Sequence, residues 1–196
     1  SNVLILINGQ RLNNIDMSEI DFPSIPIESI DRIEIIKGNA ASVLYGDGAI
    51  GGVINIITNP GFSEKAINEV IFKTGTFNSR EIIWNTIRKL DKYSLSIYFN
   101  HSETSGYRDE NEQQQNNLTS ELRYPGKKGD HFFAISFNEQ IMNTPGDRNQ
   151  DQLFIDRRGS DTPDDYINSV GGSLLYGSDY KLSDYMTFIL NSSFRL

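Results

Sequence analysis

The sequence predicts a mainly β fold, with a small α+β portion over residues 1–60 followed by antiparallel strands of an incomplete transmembrane β-barrel over residues 61–196. Three observations lead there. From about Lys65 onward, apolar and polar residues alternate at period two, as a wall with one lipid face and one wet face requires. Apart from the first hairpin turn, the connections between those strands sort by length, short ones alternating with long ones. The hydrophobic content of 37 % is low for a compact soluble domain, while Ser, Asn, Asp and Tyr are abundant.

The first element is an apolar β-branched strand, Val3 to Ile7, which stops at the tight-turn pair Asn8-Gly9. Gln10-Arg11-Leu12 and a polar loop from Asn13 to Glu19 follow, and Phe22-Pro23-Ser24-Ile25-Pro26 leads into the most informative stretch. There a short helical turn, which Ser24 or Ser29 would cap, feeds an alternating strand with Ile33 and Ile35 on one face and Glu34 and Ile36 on the other. A small-residue segment from Ala40 to Gly46 comes next. A glycine hinge, Gly51-Gly52, then opens a second apolar strand through Val53 to Thr58, which ends at the turn signal Asn59-Pro60-Gly61.

Beyond Lys65 the alternation is clearest in four segments. Tyr93, Leu95, Ile97 and Phe99 alternate with Ser94, Ser96, Tyr98 and Asn100; Leu118, Ser120, Leu122 and Tyr124 alternate with Thr119, Glu121 and Arg123. Phe133, Ile135 and Phe137 alternate with Ala134, Ser136 and Asn138, and the same pattern recurs from Met186 to Arg195. The segments Ile67 to Phe72 and Ile82-Ile83-Trp84 carry apolar residues on both faces. Short connections are expected at Thr76 to Ser79, Leu90 to Lys92, Pro125 to Asp130 and Asp179 to Asp184, and long ones at Glu103 to Asn116 and Gln140 to Asn168. Outer-membrane barrels have short periplasmic turns and long outer loops, so both long loops fall on one side. Tyr93, Tyr107, Tyr124, Tyr180 and Tyr185 near strand ends fit an interfacial girdle as well as ordinary turn packing. About seven strands are expected, against about 22 in outer-membrane transporters with a plugged lumen. With no starting Met and no export signal ahead of Ser1, the chain reads as a fragment.

Composition narrows the function. The net charge of −8 and the lack of a Lys/Arg run argue against nucleic-acid binding, and the lack of cysteine excludes disulfides and thiol chemistry. No stretch has the ~18 apolar residues of a spanning helix, but a transmembrane strand needs only about 9 to 11 of alternating character. His101 and His131 stand on different strands without partners at metal-ligand spacing. Asp161 to Asp165 lacks the glycine and closing glutamate of a calcium loop. Gly46-Asp47-Gly48-Ala49-Ile50-Gly51 fits a dinucleotide fingerprint formally, but that fingerprint needs a helix after it, and a β-branched run follows instead. No catalytic residue, metal site or cofactor is expected.

The stretch from Ile27 to Thr58, with Arg32, Glu34, Gly38, Tyr45, Gly46 and Gly51-Gly52, resembles the second half of the plug domain of TonB-dependent outer-membrane receptors. Asn39 departs from the pattern, standing where that family usually has proline. The resemblance implies energised transport of a scarce nutrient such as a ferric siderophore, haem or cobalamin across the outer membrane of a Gram-negative cell. It also implies as partners a small-molecule ligand, outer-membrane lipid and the TonB-ExbB-ExbD complex, the last through an N-terminal box outside this chain. It makes the loop with Asn13, Asn14, Asp16, Met17 and Glu19 a ligand-touching apical loop of the plug. By the same resemblance Arg32, Glu34 and Lys37 belong to a charge cluster that clamps plug to barrel; the residues alone read Arg32 equally as a solvated strand-edge charge. In the outer loops, Tyr107, Arg108, Asp147 and Arg148, with Arg157-Arg158 further on, place arginine and aromatic groups where an anionic metal chelate or sugar could dock. A surface or secreted glycan-binding β-sandwich is the alternative.

Overall fold

A computed structural model describes residues 3–11, 30–37, 45, 49–58 and 66–195. The loop with Asn13, Asn14, Asp16, Met17 and Glu19, and the short helical turn expected before Ile30, lie outside the described residues. Two compact units are formed, Ser1–Pro60 and Gly61–Leu196.

The first unit is a four-stranded sheet in the order β2-β1-β4-β3, built from β1 (Val3–Ile7), β2 (Gln10–Arg11), β3 (Ile30–Ile36) and β4 (Gly52–Thr58). β1 and β4 run parallel and are rich in Val, Leu and Ile, as strands covered on both faces are, with Asn55 the one polar interruption inside β4. Leu4, Leu6, Ala49 and Val53 form a cluster on one face with Ile36 against it, and Ile5 and Ile56 form another with Ile7, Ile30 and Ile54. Ile33 and Ile35 are exposed. The hinge glycine has a specific cause: Gly52 has φ +131°, and a Cβ there would lie 2.8 Å from the Ile36 carbonyl oxygen. Only glycine tolerates both conditions.

Asn8 (φ 50°) and Gly9 (φ 81°) make the left-handed turn expected of an Asn-Gly pair. The turn is tied to β4: Asn8 Oδ1 accepts from the Thr58 amide at 3.0 Å, and the Gly9 amide donates to Asn55 Oδ1 at 3.0 Å. Asn55 is buried, and its Nδ2 donates to Glu34 Oε2 at 3.4 Å. One side chain thus joins the β1–β2 turn, β4 and β3.

The second unit is a seven-stranded antiparallel meander, β5 (Ile67–Thr74), β6 (Arg80–Leu90), β7 (Tyr93–Thr104), β8 (Gln113–Pro125), β9 (Asp130–Asn143), β10 (Tyr166–Ser183) and β11 (Met186–Arg195), with β5 and β11 at opposite edges. It is an open portion of a barrel wall. Its burial is inside out: Asn85, Ser94, Asn100, Asn117 and Glu121 are buried, whereas Leu118, Leu122, Phe133, Ile135 and Phe137 are exposed. Water punishes such an arrangement on a soluble sheet and lipid rewards it. The segment with apolar residues on both faces departs in part from this, with Ile82 and Trp84 exposed on the outer face and Ile83 and Ile87 buried on the inner face beside Asn85.

The long loops are shorter than the sequence suggests. β7 and β8 continue through Thr104 and from Gln113, and β9 and β10 through Asn143 and from Tyr166, which leaves loops of residues 105–112 and 144–165. The extra rungs, such as Glu103 opposite Gln114 and Gln115 opposite Gln140, pair polar residue with polar residue. Backbone hydrogen bonds hold them, and no apolar alternation marks them in the sequence.

Candidate functional site

Two surfaces of the second unit bear on function. The first is the cluster of loops at the long-loop end. The base of the 144–165 loop continues the hairpin, with the Thr144 amide donating to the Asp165 carbonyl at 2.9 Å and the Asp161 amide to the Pro145 carbonyl at 2.9 Å. Near its middle lies helix α1 (Gln150–Ile155). Its start is a capping box, in which the Gln152 amide donates to Asn149 Oδ1 at 2.9 Å and the Asn149 amide donates to Gln152 Oε1 at 2.8 Å. This Asn-x-x-Gln spacing is legible in the sequence, and the reading of the loop missed it.

Arg108 reaches across from the 105–112 loop. Its Nη1 donates to the Gly146 carbonyl at 2.5 Å, its Nη2 to the carbonyls of Pro145 and Gly159 at 3.0 and 2.9 Å, and its Nε to Gly159 at 3.3 Å. The planar fork of a guanidinium is suited to such convergent acceptors. Arg148 is also drawn inward: its side chain is 11 % exposed, with Asp156 at 3.9 Å and Asp161 at 3.8 Å. It packs over Gly159, where any Cβ would collide with the guanidinium. Its Nε and Nη1 are buried with no hydrogen-bond partner among the described residues.

Asp147 is exposed beside it. Tyr107 stacks edge-on against Phe77 of the β5–β6 turn, with centroids 5.7 Å apart, and is half exposed. With Gln150, Leu153, Phe154, Ile155 and Arg157 it lines an open hollow of about 690 Å³. Phe154 and Ile155 are among the most exposed apolar side chains described, at 83 % and 86 %. The Asp156 carboxyl is held below its ordinary range, first by the Arg158 amide that donates to it at 2.9 Å. Of the four outer-loop residues singled out from sequence, Tyr107 and Asp147 are therefore presented outward, while Arg108 binds the two loops to one another and Arg148 is held within its own loop.

The predicted clamp residues sit on β3. Arg32 pairs within its own strand, with Asp31 at 3.0 Å and Glu34 at 2.9 Å, and these carboxylates raise its pKa. Lys37 follows the strand and is exposed.

The second surface is the exposed apolar face. It is bounded at the short-turn end by rings: Tyr93 lies on Tyr124 at 5.2 Å, Tyr124 on His131 at 6.2 Å and His131 on Tyr176 at 6.5 Å, one ring from each of β7 to β10. At the other end, His101 Nδ1 lies 2.7 Å from Asn116 Oδ1, and Asn116 Nδ2 donates to Glu139 Oε2 at 3.1 Å. The eight residue steps on β8 from Asn116 to Tyr124, at ~3.4 Å each, give ~27 Å along the strand. A tilt of ~40° reduces this to ~21 Å, close to the ~25 Å apolar band of an outer-membrane barrel. No described helix is long and apolar enough to cross a membrane, so this band is the described surface suited to lipid.

Comparison with known proteins agrees with both units. Residues 1–53 match the TonB-dependent Receptor Plug Domain. A vitamin B12 transporter, BtuB, of Photobacterium profundum is 50 % identical over 56 residues, which is 29 % of this chain and 9 % of the relative. BtuB of Vibrio vulnificus is 26 % identical over 192 residues, which is 93 % of this chain and 30 % of the relative. The chain thus spans under a third of the length of these curated relatives. Among solved structures, the unliganded ferric citrate transporter FecA superposes with a TM-score of 0.76 at 16 % identity, covering 100 % of this chain and 31 % of that one. The siderophore receptor PirA from Pseudomonas aeruginosa gives 0.68 at 19 % identity, covering 99 % of this chain and 32 % of that one. A plug-type sheet and a lipid-faced antiparallel wall in one chain thus resemble the corresponding part of TonB-dependent receptors, with residues 1–53 matching their plug and the whole chain sharing their fold.

Proposed function

We propose that this chain serves in energised uptake of a scarce nutrient across the outer membrane, with the outer loops and plug capturing ligand and the TonB-ExbB-ExbD complex driving rearrangement of the plug. The observation that carries the reading is the inside-out burial of the seven-stranded sheet alongside a plug-matched unit. Cobalamin is the first ligand to test, because relatives 50 % and 52 % identical over 56 residues are vitamin B12 transporters; ferric siderophores and haem come next. On the loop side, Tyr107, Asp147 and the exposed Phe154-Ile155 pair form the ligand-facing surface, and Arg108 and Arg148 hold it in shape. In the plug, Asn13, Asn14, Asp16, Met17 and Glu19 supply the apical contacts, and Arg32, Glu34 and Lys37 the charges facing the barrel. The β-sandwich alternative gains no support, since a sandwich would bury the face that carries Leu118, Phe133 and Phe137.

The test is uptake of labelled cyanocobalamin, a ferric siderophore and haem by cells carrying or lacking the full-length gene, with and without functional TonB. TonB-dependent uptake of one of these that disappears with the gene is the expected result. Unchanged uptake of every ligand, with the protein fractionating in the soluble periplasm, overturns the proposal.

A further inference from the structure

The aromatic row at the short-turn end continues into a group of side chains that the transport reading leaves without a role. The four-residue β8–β9 turn, 126–129, folds back on β10: the Lys181 amide donates to the Lys128 carbonyl at 2.6 Å, and Gly129 lies so close to the Asp179 carbonyl that no Cβ fits there. This carries the Lys128 ammonium to 5.8 Å from the centre of the Tyr180 ring. The same turn abuts His131, whose Nε2 is 3.6 Å from where a Gly126 Cβ would stand and whose Nδ1 is 3.2 Å from the Tyr176 hydroxyl. Tyr176 and Tyr180 are four residues apart on β10 and leave the same face, the one that bears the apolar band.

The acidic residues beside His131, Tyr180 and Lys181 are turned away or occupied. Asp130 and Asp179 adjoin His131 and Tyr180 in their strands and so point to the opposite face, and Asp184 is paired with Lys181 at 3.3 Å. The membrane-facing side here is therefore a cation and an imidazole set among aromatic rings, at the depth where an apolar band meets water.

We infer that Lys128, His131 and the Tyr176 hydroxyl form a site for the phosphate of an anionic glycerophospholipid, whose acyl chains lie along the Tyr124 and Phe133 side of the wall. The inference rests on the outer-membrane placement of the sheet.

The full-length receptor, placed in nanodiscs of equimolar phosphatidylglycerol and phosphatidylcholine and released for native mass spectrometry, tests it. Wild type is expected to retain phosphatidylglycerol at least fivefold over phosphatidylcholine. Lys128→Gln with His131→Gln should bring the two lipids to parity, and Lys92→Gln, which removes the same charge at the neighbouring turn, should leave the preference intact. Equal retention of both lipids by wild type overturns the site, as does a Lys92→Gln loss as large as that of the double variant. Lys128→Arg, which keeps the charge on the exposed turn, should keep the preference; its loss there also counts against the site. A receptor that neither fractionates with outer membrane nor enters the discs overturns the membrane reading and this inference with it.

Discussion

Replacing Arg108 by alanine should unfasten the outer loops without unfolding the wall beneath them. The side chain donates to three carbonyls, those of Pro145, Gly146 and Gly159. Hydrogen bonds from a charged donor contribute about 1.5–3 kcal/mol each, so three acceptors set an upper bound of roughly 4.5–9 kcal/mol. The true figure is smaller, because water can enter a loop at the protein surface and rehydrate the freed carbonyls, as it does for exposed charged pairs. An expected cost of ~2–3 kcal/mol corresponds to a change of about 30- to 150-fold in the equilibrium between closed and open loops, at ~1.4 kcal/mol per tenfold. The amides of Asp109, bonded to the Arg158 carbonyl at 2.7 Å, and of Asp161, bonded to Pro145, report that opening directly. Hydrogen exchange by mass spectrometry on the detergent-solubilised full-length protein should show those amides losing protection by that factor. Amides of β8 and β9 within the apolar band should be unchanged. Arg108→Lys should recover little, since one ammonium cannot reach three carbonyls in a fixed fork. Protection in the Arg108→Ala loops equal to wild type would refute the clamp and return Arg108 to the pool of free ligand-binding cations.

Gly52→Ala should destabilise the four-stranded sheet by about 2–3 kcal/mol, because it combines a φ reserved for glycine with a clash against the Ile36 carbonyl; faster exchange across β3 and β4 measures it. Asn55→Leu leaves the Gly9 amide without its acceptor and should cost about 1–3 kcal/mol by the same measurement. Acid should loosen the 144–165 loop through Asp156. Its folded pKa is depressed, so its contribution is complete above the ordinary carboxylate range and is lost as pH falls through the folded value. Exchange at the Arg158 amide should therefore accelerate beyond its intrinsic pH trend below about pH 4, and Asp156→Asn should flatten that dependence. On the exposed apolar face, Leu118→Lys, two residues in from the band's edge, should cost about 1–2 kcal/mol, between the midplane and interface values, seen as reduced folded receptor in outer-membrane fractions, whereas Thr119→Lys on the opposite face should assemble near wild-type level.

Much of the fold was legible in the residues. Period-two alternation at Leu118-Thr119-Ser120-Glu121-Leu122 reports which way each side chain leaves the strand, and a one-residue slip would exchange lipid and lumen faces throughout. Asn8-Gly9 announced its turn because few other residue pairs accept two successive left-handed conformations. The candidate site was less legible. Arg108 carries the same charge in the sequence whether it faces a ligand or the carbonyls of a neighbouring loop, and only the approach of residues 37 to 51 positions away distinguishes the two; Arg148 is drawn in by Asp156 and Asp161 of its own loop. The polar rungs above the band were hidden for a related reason: backbone pairing leaves no pattern in side chains that face water on both sides.

The sequence by itself determined the class of structure, because hydrophobic periodicity and glycine placement are local properties that act through the next few residues of the chain. It decided that this is a plug-type segment followed by a strand meander with one lipid face. The tertiary structure alone decided which groups remain available to a ligand. Whether a guanidinium is free, whether Asn55 links the β1–β2 turn to β3 and β4, and whether Lys128 lies over the Tyr180 ring all depend on contacts between distant residues. Such contacts exist only once the strands have paired and brought those side chains within a few ångströms of one another.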